Sequence, residues 1–286
     1  MNGQRAHRTS VPAAFFDLDK TVIAGSSTLA LARTLYRHRL IGPRHLLRSA
    51  YATCVYRFAG ADHQRMEQMR TELSRLVRGW EVARVRRIVE DSIAETITPL
   101  VYAEAVDLIT RHQAAGVDVY LVSSAGSDVV EPVAAMLGVD HVIATRMTVA
   151  DGHYTGEISF YAYAEHKVKA IREVAEQRGY DLAASFGYSD SITDAPLLSA
   201  VGRPYAVNPD RRLRRLALRE GWPILEFTAP TRRTRPTRPA PTRPAPRVPR
   251  RTATIVTGVA TALTTALLWS RRASRRELTE PASRQR

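Results

Sequence analysis

Ala13-Ala14-Phe15-Phe16-Asp17-Leu18-Asp19-Lys20-Thr21 sets four apolar residues directly before two acids. A short, wholly apolar run that ends in polar residues reads as a strand buried on both faces, with the acids in the loop at its C-terminal end. Ligands of open α/β sheets gather outside that end of the strands. Asp17 and Asp19 therefore stand where chemistry is expected. Two carboxylates one residue apart repel each other unless a cation binds. A hard cation such as Mg²⁺ is suited by a few carboxylates, water and a substrate phosphate. Taken alone, the same pattern also suits a solvated turn.

Downstream of this loop the pattern becomes helical, with segments expected over residues 28–39, 43–58, 62–78 and 81–96. Gly42-Pro43, Gly60 and Gly79 punctuate them. No strand-like alternation interrupts these four helices, so residues 26–97 read as a compact helical insert. After Pro99 helices and strands alternate: a helix to residue 113, a strand over 117–122, a helix over 128–137 and a strand over 141–144. Residues 145–160, with Asp151-Gly152 between two alternating runs, read as a β-hairpin. A helix over 164–178, a strand over 183–188, a helix from 194, a strand over 204–207, a helix over 210–219 and a strand over 224–227 complete the pattern. Such interleaving predicts an α/β fold with a parallel sheet covered by helices on both faces. Its core would comprise residues 12–25 and 98–228.

Three further motifs fall at strand ends or helix starts. Tyr120-Leu121-Val122-Ser123-Ser124 closes an apolar strand with hydroxyls able to hold a phosphoryl oxygen, aided by backbone N–H groups. Lys167 is one of three lysines, beside Lys20 and Lys169, in a chain with 39 arginines. A compact ammonium acting as a point charge on phosphate is one reason to use lysine there. Gly187-Tyr188-Ser189-Asp190-Ser191-Ile192-Thr193-Asp194 runs a strand into a loop with two acids four residues apart. Asp190 would complete a metal's carboxylate set, and Asp194 also suits a helix cap. Phe160-Tyr161-Ala162-Tyr163 adds aromatics before Lys167, read as hairpin and sheet packing.

In this order the four motifs resemble the haloacid dehalogenase superfamily, and within it the phosphoserine-phosphatase-like subclass, subfamily IB, with a helical cap inserted after the first motif. The resemblance spans residues 12–227. It implies a Rossmann-like core and a Mg²⁺-dependent phosphatase acting through an aspartyl phosphate on a small phosphorylated substrate. Matched by position, it implies Asp17 as nucleophile, Asp19 as general acid and base, and Thr21 as a supporting hydroxyl. It also implies Ser123, Ser124 and Lys167 as phosphate holders. Asp17, Asp190 and Asp19 would be the metal ligands, the last through its backbone carbonyl, with Asp194 supporting the acidic loop. One position departs: Ser26 stands where phosphoserine phosphatases of this subclass carry a glutamate that meets the substrate's amino group. An ammonium buried without that carboxylate would go uncompensated, which argues against phosphoserine as substrate.

The net charge of +14 on 286 residues invites a nucleic-acid reading. However, the segment from Ala229 onward carries 14 arginines against Glu277 and Glu280, so a net +12 lies there and the rest is almost neutral. Residues 229–251 read as a Pro/Arg-rich, extended linker. Residues 252–270, uncharged and bracketed by arginines with Trp269 at the edge, read as a membrane-spanning helix, followed by a basic tail over 271–286. The expectation is a cytoplasmic catalytic domain anchored to the membrane, with no nucleic-acid partner. A phosphatase of a membrane-associated lipid precursor and a membrane-tethered regulatory protein that retains the fold are the competing readings. Cys54, the sole cysteine, permits no internal disulfide and reads as a packed core thiol.

Overall fold

The computed structural model describes residues 11–42, 71 and 74–228. The segments expected to be helical over 43–58 and most of 62–78, Cys54, the linker, residues 252–270 and the basic tail lie outside the described residues. Among the described residues no helix is long and apolar enough to cross a membrane.

Seven strands form one sheet: β1 (Ala13–Phe16), β2 (Asp118–Gly126), β3 (His141–Ala150), β4 (His153–Phe160), β5 (Phe186–Ser189), β6 (Arg203–Val207) and β7 (Ile224–Leu225). Their order is β4-β3-β2-β1-β5-β6-β7. All neighbours are parallel except β3 and β4. The α-helices are α1 (Ser27–Arg37), α2 (Val82–Thr96), α3 (Ala103–Ala114), α4 (Ser127–Met136), α5 (Glu165–Arg178), α6 (Ala195–Ser199) and α7 (Arg211–Glu220).

β1 is central because all four of its side chains are apolar and can be buried on alternating faces, as a covered parallel strand requires. Ala14 and Phe16 join Leu121, Ile109 of α3 and Val130 and Val133 of α4 on one face. Ala13 and Phe15 join Tyr120, Val168 and Ile171 of α5 and Leu197 and Leu198 of α6 on the other. Each fully buried phenylalanine contributes about 1.5–3 kcal/mol of transfer free energy. Phe16 also stacks on Tyr188 with ring centroids 4.2 Å apart, tying β1 to β5 just below the acidic loops.

β2 runs on to Gly126, past the expected end at 122, and β7 stops at Leu225, short of 227. Two further boundary differences have a clear physical cause. The strand expected over 141–144 and the first arm of the hairpin are one continuous strand, β3, which pairs with β2 along its first half and with β4 along its second. Its burial falls off as it leaves the sheet's interior, so one strand looks like two elements. The strand expected from 183 begins instead at Phe186, because Asp181 folds the preceding residues into a turn. Its side chain accepts the Ala183 N–H at 2.9 Å and its carbonyl the Ser185 hydroxyl at 2.6 Å. At the hairpin tip Asp151 and Gly152 both have positive φ, 49° and 75°, the conformation a two-residue type I′ turn demands.

α2 is fixed to the sheet by that hairpin. Tyr154 of β4 exchanges backbone hydrogen bonds with Gly79 and Trp80, and Val82 N–H meets the Gly152 carbonyl at 2.9 Å. Arg86 of α2 donates to Asp128 of α4 at 2.6 Å, and Tyr154 donates its hydroxyl to the same carboxylate. Val85, Val89 and Ile93 of α2 extend the apolar layer on that face of the sheet.

Candidate active site

β1 delivers Asp17 to the sheet's C-terminal edge, where its backbone N–H continues the ladder to the Tyr188 carbonyl at 2.9 Å. The chain then turns tightly, with the N–H groups of Val22 and Ile23 both meeting the Leu18 carbonyl. Lys20 takes a positive φ of 62° within this turn. The turn points Asp17 and Asp19 in different directions. Asp17 lies 8 % exposed among sheet residues, and Thr21, fully buried, donates its hydroxyl to Asp17 Oδ2 at 3.4 Å. Asp19 instead accepts the Ser27 N–H on Oδ1 at 2.9 Å, at the first residue of α1.

Lys167 enters from the first turn of α5 and is 2 % exposed. Its ammonium donates to Asp17 Oδ1 at 2.6 Å and to Asp194 Oδ2 at 2.8 Å. Ser189 donates to the same Asp194 oxygen at 2.8 Å. Asp190 directly follows β5 and is nearly buried. Its carbonyl accepts the Asp210 N–H at 2.8 Å, while Asp210 caps α7 and accepts the Ile192 N–H at 2.9 Å. Ser123, 2 % exposed, ends the well-paired part of β2, two residues beyond Leu121, which pairs with Phe16 of β1. Ser124 is exposed, and its carbonyl accepts the Thr145 hydroxyl at 2.8 Å.

The electrostatics follow from this crowding. Burial pushes Asp17 up to about 7, with Asp194 and Asp19 adding to the push and Lys167 opposing it. Burial raises Asp190 well above the usual carboxylate range, reinforced by Asp17. Asp19 is raised by burial, against the pull of its hydrogen bond from Ser27. For Lys167 burial favours the neutral amine, but Asp17 and Asp194 outweigh it and hold the side chain charged. Asp17 and Asp194 thus share one ammonium, while Asp190, pushed up by burial and by Asp17, has no hydrogen bond to it. Two neighbouring acids, both pushed up by burial, are the donor set a hard divalent cation relieves. Among the described residues no three His, Cys, Asp or Glu side chains form a metal-holding group. The carboxylates of Asp17 and Asp190 fit such an ion, while Asp19, its carboxylate engaged by α1, has its backbone carbonyl to offer.

The structure therefore brings Asp17, Thr21, Lys167, Asp190 and Asp194 together from β1, α5 and the loop after β5, with Ser123 on the adjoining strand. Ser27 and Ser189 carry no distinguishing sequence signal, being serines at a helix start and a strand end. Ser189 sits one residue before Asp190 in the quoted motif, yet only its geometry gives it a role.

Comparison with known proteins gives these residues a context. The family model for haloacid dehalogenase-like hydrolases matches residues 14–199. A Streptomyces azureus protein named "Inhibition of morphological differentiation protein" is 53 % identical over 233 residues, 81 % of this chain and 84 % of that one. A Mycobacterium tuberculosis protein named a "Probable phosphatase" is 51 % identical over 76 % of each chain. The crystal structure of a phosphoserine phosphatase in its apo form shares the fold, with a TM-score of 0.54 at 18 % identity, covering 77 % of this chain and 94 % of that one.

Proposed function

Because the chain belongs to the haloacid dehalogenase-like hydrolase family and is a phosphatase of it, we propose that it hydrolyses a small phosphomonoester in two steps through a phosphorylated Asp17, with Mg²⁺ as cofactor. The observation that carries this is the Asp17 carboxylate at the end of β1, buried, 2.6 Å from the Lys167 ammonium and tied by charge to Asp190.

In the first step an Asp17 oxygen attacks phosphorus while Asp19 gives its proton to the departing alkoxide oxygen. In the second, Asp19 takes a proton from water, which attacks the acyl phosphate at phosphorus, releasing phosphate and restoring the Asp17 carboxylate. Each step is easier than direct attack by water, and one group serves as acid and then base. A burial-raised pKa suits Asp19 to holding the proton it must donate. Lys167 and the Ser123 hydroxyl would hold phosphoryl oxygens. Thr21 keeps Asp17 oriented through the 3.4 Å hydrogen bond, and Asp194 with Ser189 fixes Lys167. The carboxylates of Asp17 and Asp190 and the Asp19 carbonyl would hold Mg²⁺, which when bound supplies charge neutralisation between carboxylate and phosphate. Ser124, exposed, would contribute through its backbone.

Ser26 caps α1, its hydroxyl oxygen accepting the Leu29 N–H at 3.5 Å, and its side chain also favours the charged form of Asp19. A substrate lacking a cationic group near the phosphate suits this entrance better than phosphoserine. For location, the arginine-bracketed, uncharged stretch over 252–270 supports membrane attachment, tested by fractionating the full chain beside residues 1–228.

The deciding experiment assays the protein on a panel of phosphomonoesters with Mg²⁺, with EDTA, and with Asp17→Asn. Chemical trapping of the phosphorylated side chain accompanies the assay. Turnover should require the metal, and label should sit on Asp17. Turnover that survives Asp17→Asn, or an adduct on another residue, would discard the mechanism.

A further inference from the structure

Ser123 and Lys167 belong to separate segments, and one buried hydroxyl joins those segments. β2 and β3 pair regularly up to Ser123 opposite Ala144, after which the register jumps and Gly126 lies opposite Thr145. Ser124 and Ala125 bulge from the ladder, so the Ser124 carbonyl needs a donor outside it. Thr145 Oγ1 supplies one at 2.8 Å. The same oxygen accepts the Ala162 N–H at 3.2 Å, using both capacities of the hydroxyl. Thr145 is 6 % exposed and Ala162 fully buried.

From Ala162 the chain turns into α5. The His166 N–H meets the Tyr163 carbonyl at 3.0 Å, closing a turn whose first corner is Ala164 at φ 46° and ψ −119°. That corner of a type II′ turn is normally glycine. A residue with a Cβ persists there only where its surroundings hold it. Those surroundings include the Thr145 hydroxyl on Ala162 and the stacked rings of Tyr161 and Tyr163, 5.5 Å apart. Lys167, its N–H on the Ala164 carbonyl at 3.0 Å, leaves this turn toward Asp17.

We propose that Thr145 is a positioning residue for phosphate binding: its hydroxyl holds the Ser123 loop and the Lys167 turn at a fixed separation. Thr145 itself touches no substrate in this role, which presupposes the phosphate contacts proposed for Ser123 and Lys167. Phosphate held from two sides senses their spacing, and a displacement of about 1 Å in such a site is enough to cost up to ~10²-fold.

The test uses the full chain with p-nitrophenyl phosphate as substrate and inorganic phosphate as competitive inhibitor, well below each variant's unfolding midpoint. Thr145→Val keeps the branched shape and deletes the hydroxyl. It should raise the phosphate inhibition constant and KM about tenfold. Thr145→Ser, which keeps the hydroxyl, should stay within about threefold of the parent. A folded Thr145→Val with an unchanged phosphate constant overturns the role, as does a Thr145→Ser equally impaired, since packing alone would then explain both. Should Thr145→Val not fold, Thr145→Ala, which deletes the hydroxyl without adding a methyl in its place, is used instead. It should weaken phosphate inhibition in the same way, and an unchanged inhibition constant again overturns the role. Ser123→Ala separates the premise from the inference: if it leaves phosphate inhibition unaltered, the phosphate contact of Ser123 fails independently of Thr145.

Discussion

Lys167→Met is the most demanding perturbation of the site. The Lys167 side chain, buried, places its ammonium 2.6 and 2.8 Å from the buried carboxylates of Asp17 and Asp194. Methionine of similar length leaves Asp17 and Asp194 buried without their shared counter-charge. Breaking a buried pair costs about 3–5 kcal/mol. For a chain of this size ~1 kcal/mol corresponds to roughly 2–4 °C, so the unfolding midpoint should fall by about 10 °C. The protein recovers part of this by keeping a proton on Asp17, already pushed up to about 7, and that proton quenches the nucleophile. Losing one preorganised positive charge from a phosphoryl site costs a further ~10²–10³ in rate. Turnover of p-nitrophenyl phosphate at pH 7.5 should therefore fall about 10³-fold or more. Calorimetry should show Lys167→Met/Asp194→Asn to be more stable than Lys167→Met alone, because one orphaned charge has gone. A folded Lys167→Met that retains a tenth of parental kcat/KM would refute this account of the lysine.

The remaining predictions concern protons. Asp17→Asn should abolish turnover yet raise the unfolding midpoint at pH 7.5. From the ordinary 3.8 up to about 7 the folded chain binds the extra proton, so parental stability declines as pH rises through that window; the gap between the two proteins should close toward pH 4. Ser27→Pro keeps α1, since Ser26 is already extended at φ −93°, ψ 125° and proline is tolerated at a helix's first residue. It removes the N–H that Asp19 accepts, so the Asp19 limb of the pH profile should move to higher pH, and an unmoved profile rejects that bond as a control. His112 is held below 6.5 by burial, with Arg111 adding to the effect, while Nε2 meets the Tyr188 hydroxyl at 2.9 Å. The unfolded chain protonates first as pH falls, so stability should drop below about pH 6.5. Thermal melts of His112→Gln from pH 7.5 to 5 should show a flatter decline.

Asp17, Asp190 and Lys167 were legible in the sequence because each is tied to an element that periodicity reveals: two strands ending in acids and a helix opening with a rare lysine. The Asp151-Gly152 turn was legible for a similar local reason. Thr145 was not, because its importance depends on a register jump between β2 and β3 that neither strand announces. Ser27 was hidden likewise: what matters is its backbone N–H at the start of α1, which any residue but proline supplies. Residues 183–185 looked like strand because Ala183 and Ala184 run straight toward Phe186 with no glycine or proline between, whereas the Asp181 side chain that folds them into a turn acts across two residues.

The hairpin's grip on residues 79–86 reaches α1 as well. Trp80 is bonded to β4, Val82 to Gly152 in the hairpin turn and Arg86 to α4, while Arg84 donates to the His38 carbonyl at the end of α1 at 3.1 Å and Leu31 packs in one apolar layer with Val85 and Val89. The helix that holds Asp19 by a backbone N–H is therefore anchored, through α2, to the far edge of the sheet. A crosslink between α2 and α4 should leave turnover unchanged, because it joins parts already fixed to one another.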